Sequence, residues 1–270
     1  MPTVADIREM AGSEPITMLT AYDAPSAAMV EAAGIDMILV GDSVGNTVLG
    51  YDSTVPVTVD DIRRHTGAVA RATDEVLVVA DMPFLSYGVD DSESVRTAGE
   101  LLKEADADAV KIESGEHTVE LTDRLTSIGI PVMAHLGLTP QHVKQLGGFK
   151  RQGTDNSAAK EILDLARAHE AAGAFALVIE HVPANVARSV TEAIEIPTIG
   201  IGAGPETDGQ VLVIDDAIGL SERSPPFAKQ FGDVRSEMEA AIEGFRSGVE
   251  SGSFPGEEHS YVEESVDDVY

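Results

Sequence analysis

Four carboxylates stand directly behind apolar runs in this chain. Asp42 follows Met-Ile-Leu-Val-Gly, Asp81 follows Leu-Val-Val-Ala, Glu113 closes Ala-Val-Lys-Ile, and Glu180 closes Ala-Leu-Val-Ile. Lys111 lies within the third run, and His135 within Val-Met-Ala-His-Leu. Aspartate is also a common cap or turn former behind a strand, and a histidine in an apolar strand is often a hydrogen-bonded core residue. Acidic residues number 47 of 270, so eight strand ends should carry one or two by chance. Several carry one, which favours function for Asp42, Asp81, Glu113 and Glu180. Asp215 and Asp216 read better as the start of a helix. With no cysteine and no His-Glu-x-x-His stretch, three carboxylates at one mouth favour a hard divalent cation such as Mg²⁺. A lysine beside them is a partner for an anionic substrate, and a further carboxylate is a base. Cation, lysine and separate base together suit removal of a proton next to a carbonyl.

These residues need a frame that brings strand ends together. Apolar runs at 16–20, 36–40, 76–80, 109–112, 132–136, 176–180, 198–201 and 211–215 are predicted strands. Most are continuous rather than alternating in polarity, as in parallel sheets covered on both faces. Amphipathic stretches at 60–72, 92–105, 117–128 and 158–171 lie between them as predicted helices, and Gly34, Gly129 and Gly173 fall where helices should end. Eight strands alternating with helices predict a (β/α)₈ TIM barrel of class α/β, with an open doubly wound sheet as the alternative. The dinucleotide fingerprint of that alternative is incomplete: Gly200-Ile-Gly202-Ala-Gly204 lies after the seventh strand instead of the first. Segments 44–56 and 137–158 are long for βα loops, which marks them as lids or binding loops. The reading is one barrel domain over 1–270, with a helical extension at about 225–261, helical near 234–250, and a loosely packed acidic tail at 262–270.

Length and composition bound the function. Of the charged residues 18 are basic and 47 acidic, a formal net charge of −29, and 43% of the chain is hydrophobic. That charge repels phosphate backbones and argues against nucleic acid as a partner. It also fits a very salty cytoplasm, since at ~1 M salt the Debye length is about 3 Å and self-repulsion is screened. No apolar run reaches the ~18 residues of a membrane span. The opening Met-Pro-Thr-Val-Ala-Asp-Ile-Arg has neither a basic stretch nor an apolar run, so no signal peptide is expected and the cytoplasm is the expected compartment.

Eight stretches carry a specific likeness. They are Thr17-Met-Leu-Thr-Ala-Tyr-Asp23, Val40-Gly-Asp-Ser-Val-Gly45, Asp52-Ser-Thr-Val-Pro-Val-Thr58, Ala80-Asp-Met-Pro-Phe84, Val110-Lys-Ile-Glu113, Ala134-His-Leu-Gly-Leu-Thr-Pro140, Ile199-Gly-Ile-Gly-Ala-Gly204 and Phe254-Pro-Gly-Glu-Glu-His-Ser260. In order and spacing, from about residue 15 to 261, they resemble the motifs of the ketopantoate hydroxymethyltransferase family. The resemblance implies a (β/α)₈ barrel that moves a hydroxymethyl group from 5,10-methylenetetrahydrofolate to 3-methyl-2-oxobutanoate, giving 2-dehydropantoate on the way to pantothenate and coenzyme A. It assigns Mg²⁺ to Asp42, Asp81 and Glu113, substrate contacts to Asp42, Ser43, Asp81 and Lys111, and proton abstraction to Glu180. It places His135 in the same pocket and implies a homo-oligomer, a decamer in the family. Departures occur at Ser114, where glycine is usual, at His181, where a small residue or cysteine is usual, at Phe149 and Arg151, and at Pro226, where lysine is expected. Two other functions compete. A metal-dependent barrel of the isocitrate lyase and phosphoenolpyruvate mutase type shares the enolate logic, but its lyases rely on a cysteine that this chain lacks. A barrel kept only for binding or assembly would not need an intact set at five strand ends.

Overall fold

The computed structural model describes residues 2–148 and 150–263. The strands are β1 Ile16–Thr20, β2 Met37–Val40, β3 Leu77–Asp81, β4 Ala109–Glu113, β5 Val132–Gly137, β6 Ala176–Glu180, β7 Thr198–Ile201 and β8 Gly209–Leu212. Each pairs in parallel with the next and β8 pairs with β1, so the sheet closes into a barrel in chain order. The helices are α1 Val4–Glu9, α2 Ala24–Ala32, α3 Val44–Thr47, α4 Val59–Ala70, α5 Asp91–Glu104, α6 Val119–Ser127, α7 Val143–Leu146, α8 Asn156–Ala171, α9 Ala184–Thr191, α10 Ile214–Ile218 and α11 Val234–Ser251. The (β/α)₈ TIM barrel read from the sequence is the fold observed.

Helix starts are set by short polar side chains. Thr58 and Asp61 cap each other at α4, while Asp23, Asp90 and Asp155 accept from the first turns of α2, α5 and α8. Gly34, Gly129 and Gly173 each follow the residue that caps the end of α2, α6 and α8.

One side-chain parity on each strand fills the barrel interior. Met18, Met37, Leu39, Leu77, Val79, Ala109, Met133, Ala176, Val178, Ile199 and Val211 form a single apolar cluster with Ile7 of α1. The other parity packs outward: Ala134, Leu136, Leu177 and Ile179 meet Ile162 and Ala166 of α8 and Val186, Ala187 and Val190 of α9. Burial on both faces explains why the strands read as continuous apolar runs.

Two details differ from the sequence reading. The eighth strand begins two residues earlier than expected and ends at Leu212, because Asp215 and Asp216 occupy the first turn of α10. Its first residue is a glycine whose added Cβ would lie 2.4 Å from the Ile16 carbonyl oxygen, so the entry to β8 has no side chain to signal it. Among the described residues no helix lies between β7 and β8, where the chain returns over residues 202–208. There Asp208 accepts from both the backbone and the hydroxyl of Thr198 at 2.8 and 2.9 Å. A surface cavity of about 850 Å³ opens in this region, lined by residues 12–17, Gly202, Gly204, Thr207 and Phe227.

The chain groups into two compact units. One comprises Met1–Ile214 with Pro225–Ala228, and the other Asp215–Ser224 with Lys229–Tyr270. Within the second, α11 has no buried residue, and Phe254 packs against Phe245 and His259 with ring centroids 5.8 and 5.2 Å apart. Phe149 and tail residues 264–270 lie outside the described residues.

Candidate active site

The interior rows of β3, β4, β5 and β6 change from apolar to polar at the ends where these strands finish. Leu77 and Val79 lead to Asp81, Ala109 to Lys111 and Glu113, Met133 to His135, and Ala176 and Val178 to Glu180. The two-residue period of a strand therefore aims all five side chains inward, above the apolar plug. Cross-strand register sets Asp81 beside Lys111 and Glu113 beside His135. Asp42 and Ser43 follow β2, and the Asp42 N–H donates to Asp81 Oδ2 at 2.9 Å.

A line of contacts joins these residues. Lys111 Nζ lies 2.7 Å from Asp81 Oδ1 and 3.4 Å from His135 Nδ1. His135 Nε2 lies 3.1 Å from Glu180 Oε2. The first and last of these are close polar contacts off the hydrogen-bond line, since Asp81 Oδ1 and His135 Nε2 lack partners in hydrogen-bond geometry. An ammonium can only donate, so Nδ1 is the accepting nitrogen and the ring proton is assigned to Nε2, facing Glu180. Ser43 Oγ lies 2.8 Å from the Tyr22 hydroxyl.

The electrostatics follow from burial. Asp42, Asp81, Lys111, Glu113 and His135 are all buried, while the Glu180 side chain keeps 15% of its surface open. Burial, with Asp81 and Glu113 close by, pushes the Asp42 carboxyl up to about 8. Burial likewise raises Glu180 to about 7. Burial and the Lys111 charge pull His135 down to about 4, so its ring is neutral. Burial opposes the charge of Lys111, but Asp81 and Asp42 outweigh it and raise its pKa. Among the described residues Lys111 is the one buried lysine or arginine. The mouth thus holds more carboxylate than cation.

Oxygen donors with surplus negative charge suit a hard divalent cation. The chemistry of this donor set therefore fits Mg²⁺, with Asp42 and Asp81 adjacent. The Glu113 oxygens accept from the Gln141 N–H at 3.0 and 3.2 Å and face His142 Nδ1 at 3.3 Å. Among the described residues no three Asp, Glu or His side chains form a ready metal cluster.

The sequence reading missed several neighbours. Gln141 binds Asp42 and Glu113, yet it stands one residue beyond the Thr-Pro pair that ended the motif quoted above. Tyr87, which holds Gln141, has no spacing that marks it, whereas Tyr22, which holds Ser43, lies in the quoted motif Thr17–Asp23. Of the departures, Ser114 ties β4 to β5 by donating to Ile112 and accepting from His135 N–H. His181 takes a left-handed φ of +49° and packs its ring 5.5 Å from Phe227. None of the proposed site residues lines the cavity between β7 and β1.

The sequence profile of ketopantoate hydroxymethyltransferase matches residues 2–257. A 3-methyl-2-oxobutanoate hydroxymethyltransferase from Halobacterium salinarum is 69% identical, covering 100% of both chains. Proteins of the same name from Natronomonas pharaonis and Geobacter metallireducens are 66% and 49% identical, covering 98% and 96% of this chain and 98% of each of theirs. Among solved structures, a phosphoenolpyruvate phosphomutase from Streptomyces platensis aligns with a TM-score of 0.63 at 17% identity, over 99% of this chain and 95% of that one. A 2,3-dimethylmalate lyase aligns with a TM-score of 0.58 at 18% identity, over 98% and 94%. At such identities these two share the fold alone. The match along nearly the whole sequence, on a barrel whose polar side chains meet at one mouth, means that the chain belongs to the ketopantoate hydroxymethyltransferase family.

Proposed function

We propose that this enzyme transfers a hydroxymethyl group from 5,10-methylenetetrahydrofolate to C3 of 3-methyl-2-oxobutanoate. One water is taken up, and 2-dehydropantoate and tetrahydrofolate are released. The observation that carries this reading is the line Asp81–Lys111–His135–Glu180, which sets a buried carboxyl of pKa about 7 across from an acidic, cation-seeking cluster. Asp42 and Asp81 would hold Mg²⁺. Glu113, whose carboxylate accepts from the Gln141 N–H, would add the third carboxylate that the family likeness assigns. Bound there, the ion would draw electron density from the keto oxygen and offset the charge that oxygen gains as C3 is deprotonated.

Glu180 takes the C3 proton. A base near pH 7 is stronger than an ordinary carboxylate and is still half ionised at neutral pH. Neutral His135 sets Nε2 3.1 Å from Glu180 Oε2, beside the proposed base. Lys111 is the positive partner for the substrate carboxylate, and Ser43, held by Tyr22, supplies a hydroxyl donor to it. The family likeness further supports a homo-oligomer in the cytoplasm, and light scattering tests the assembly directly. Among the described residues no helix is long and apolar enough to cross a membrane.

The test is an NMR assay in concentrated KCl with 3-methyl-2-oxobutanoate, Mg²⁺ and 5,10-methylenetetrahydrofolate. The expected result is 2-dehydropantoate formed only when the folate is present. Failure with that donor, or product formed without it, contradicts the reading.

A further inference from the structure

Gln141 lies in the turn after β5 and is 5% exposed. Every polar atom of its side chain, and its backbone N–H, is used. Its Nε2 donates to Asp42 Oδ2 at 2.8 Å and to the Met82 carbonyl at 3.1 Å. Its Oε1 accepts from the Tyr87 hydroxyl at 2.9 Å. Its N–H reaches the Glu113 carboxylate at 3.0 Å. That N–H is available because Pro140 opens a single 3₁₀ turn at 140–142, and the first N–H groups of a helical turn have no partner within it.

The amide fits in one sense only. Turned over, its oxygen would face a carboxylate and a carbonyl, both acceptors. Tyr87 favours the observed sense: its oxygen accepts the Glu113 N–H at 3.0 Å, and its hydroxyl donates to Gln141 Oε1 at 2.9 Å in preference to the Glu113 carbonyl at 3.4 Å. One buried side chain therefore ties the ends of β2, β3 and β4 to the loop after β5. The chemistry of the residue matters as well. A neutral amide brings no positive charge of its own to the mouth, whereas a lysine or arginine there would compete with a bound cation.

The geometry points to Gln141 as the positioning residue of this site: it holds Asp42 through its amide and Glu113 through its backbone, and so sets both carboxylates for cation binding, with Tyr87 fixing the amide's sense. This role rests on the reading of Asp42 and Glu113 as cation ligands. Hydrogen bonds behind ligating carboxylates are worth about 10–100-fold in metal affinity.

The test is calorimetric titration of the full-length protein with Mn²⁺ alone, without substrate, in KCl. Wild type is compared with Gln141→Leu, Tyr87→Phe, the double variant and Asp81→Asn. Gln141→Leu is expected to weaken binding by about 10–100-fold. Tyr87→Phe, which leaves the amide present but unfixed, is expected to weaken it less and keeps the test open should Gln141→Leu not fold. The double variant should lose less than the product of the two effects, because the tyrosine acts through the amide. In turnover, Tyr87→Phe should need more Mg²⁺ for half-maximal rate and recover most of kcat at high Mg²⁺, which a merely structural defect would not do. Affinities within about twofold of wild type in the folded single variants, with Asp81→Asn weakened, would overturn the positioning role alone. Absence of Mn²⁺ binding by wild type, or unchanged binding by Asp81→Asn, would remove the ligand reading and the positioning role together.

Discussion

Glu180 takes its proposed role from burial. Its carboxyl is raised to about 7 from an ordinary value of 4.5, first by loss of water and against the pull of Lys111 and His181. A base acts ionised, so C3 deprotonation should level off above pH 7 and fall about tenfold per unit below it. A pH profile of C3 exchange measures this, and a limb near 4.5 would mean that the carboxyl is not shielded. Asp81 faces Lys111 on one oxygen and the Asp42 N–H on the other. Asp81→Asn should therefore raise the Mg²⁺ concentration for half-maximal activity by about 10-fold or more, and an unchanged titration removes Asp81 from the ion. The carboxylates were legible in the sequence because each interrupts an apolar run where a bare charge is costly. Gln141 was not legible, because a glutamine in a loop carries no such conflict, and only the fold reveals what its amide meets.

At the scale of elements, β5 and β6 set Glu180, the proposed base. Gly137 ends β5 at φ +98°, and a Cβ there would lie 2.2 Å from the Glu180 carbonyl oxygen, which accepts from Leu138 N–H at 2.8 Å. Only a residue without a side chain lets the two strand ends close at that point. Gly137→Ala should cost about 3 kcal/mol of stability, read from urea midpoints in KCl, and displace Glu180 enough to slow exchange. A loss under about 1 kcal/mol would show that the backbone relaxes freely there. Seven strands fell within one residue of their expected bounds, because a strand buried on both faces writes a continuous apolar run. The eighth shifted because its first residues, Gly209 and Gln210, are held by the close approach of Ile16 and by pairing with β1, neither of which is local. The missing helix between β7 and β8 was not legible either, since the alternation of the other elements implied one.

The whole molecule carries a formal charge of −29 on 270 residues. Self-repulsion of that size opposes the compact state until salt screens it. The thermal midpoint should rise by about 10 °C or more between 0.1 and 2 M KCl, and a midpoint independent of salt contradicts salt adaptation. Closure of the barrel was legible from eight strands in βα order. What closure achieves is convergence: five strand ends spread along the chain present Asp42, Asp81, Lys111, Glu113, His135 and Glu180 at one mouth, where we propose a cation site and a separate base. The most direct test is exchange of the C3 hydrogen of 3-methyl-2-oxobutanoate in D₂O with Mg²⁺ and no folate, followed by NMR. Wild type should exchange it readily, and Glu180→Gln should lose the exchange while still binding the oxo acid. Exchange by Glu180→Gln at the wild-type rate would contradict the assignment of the base.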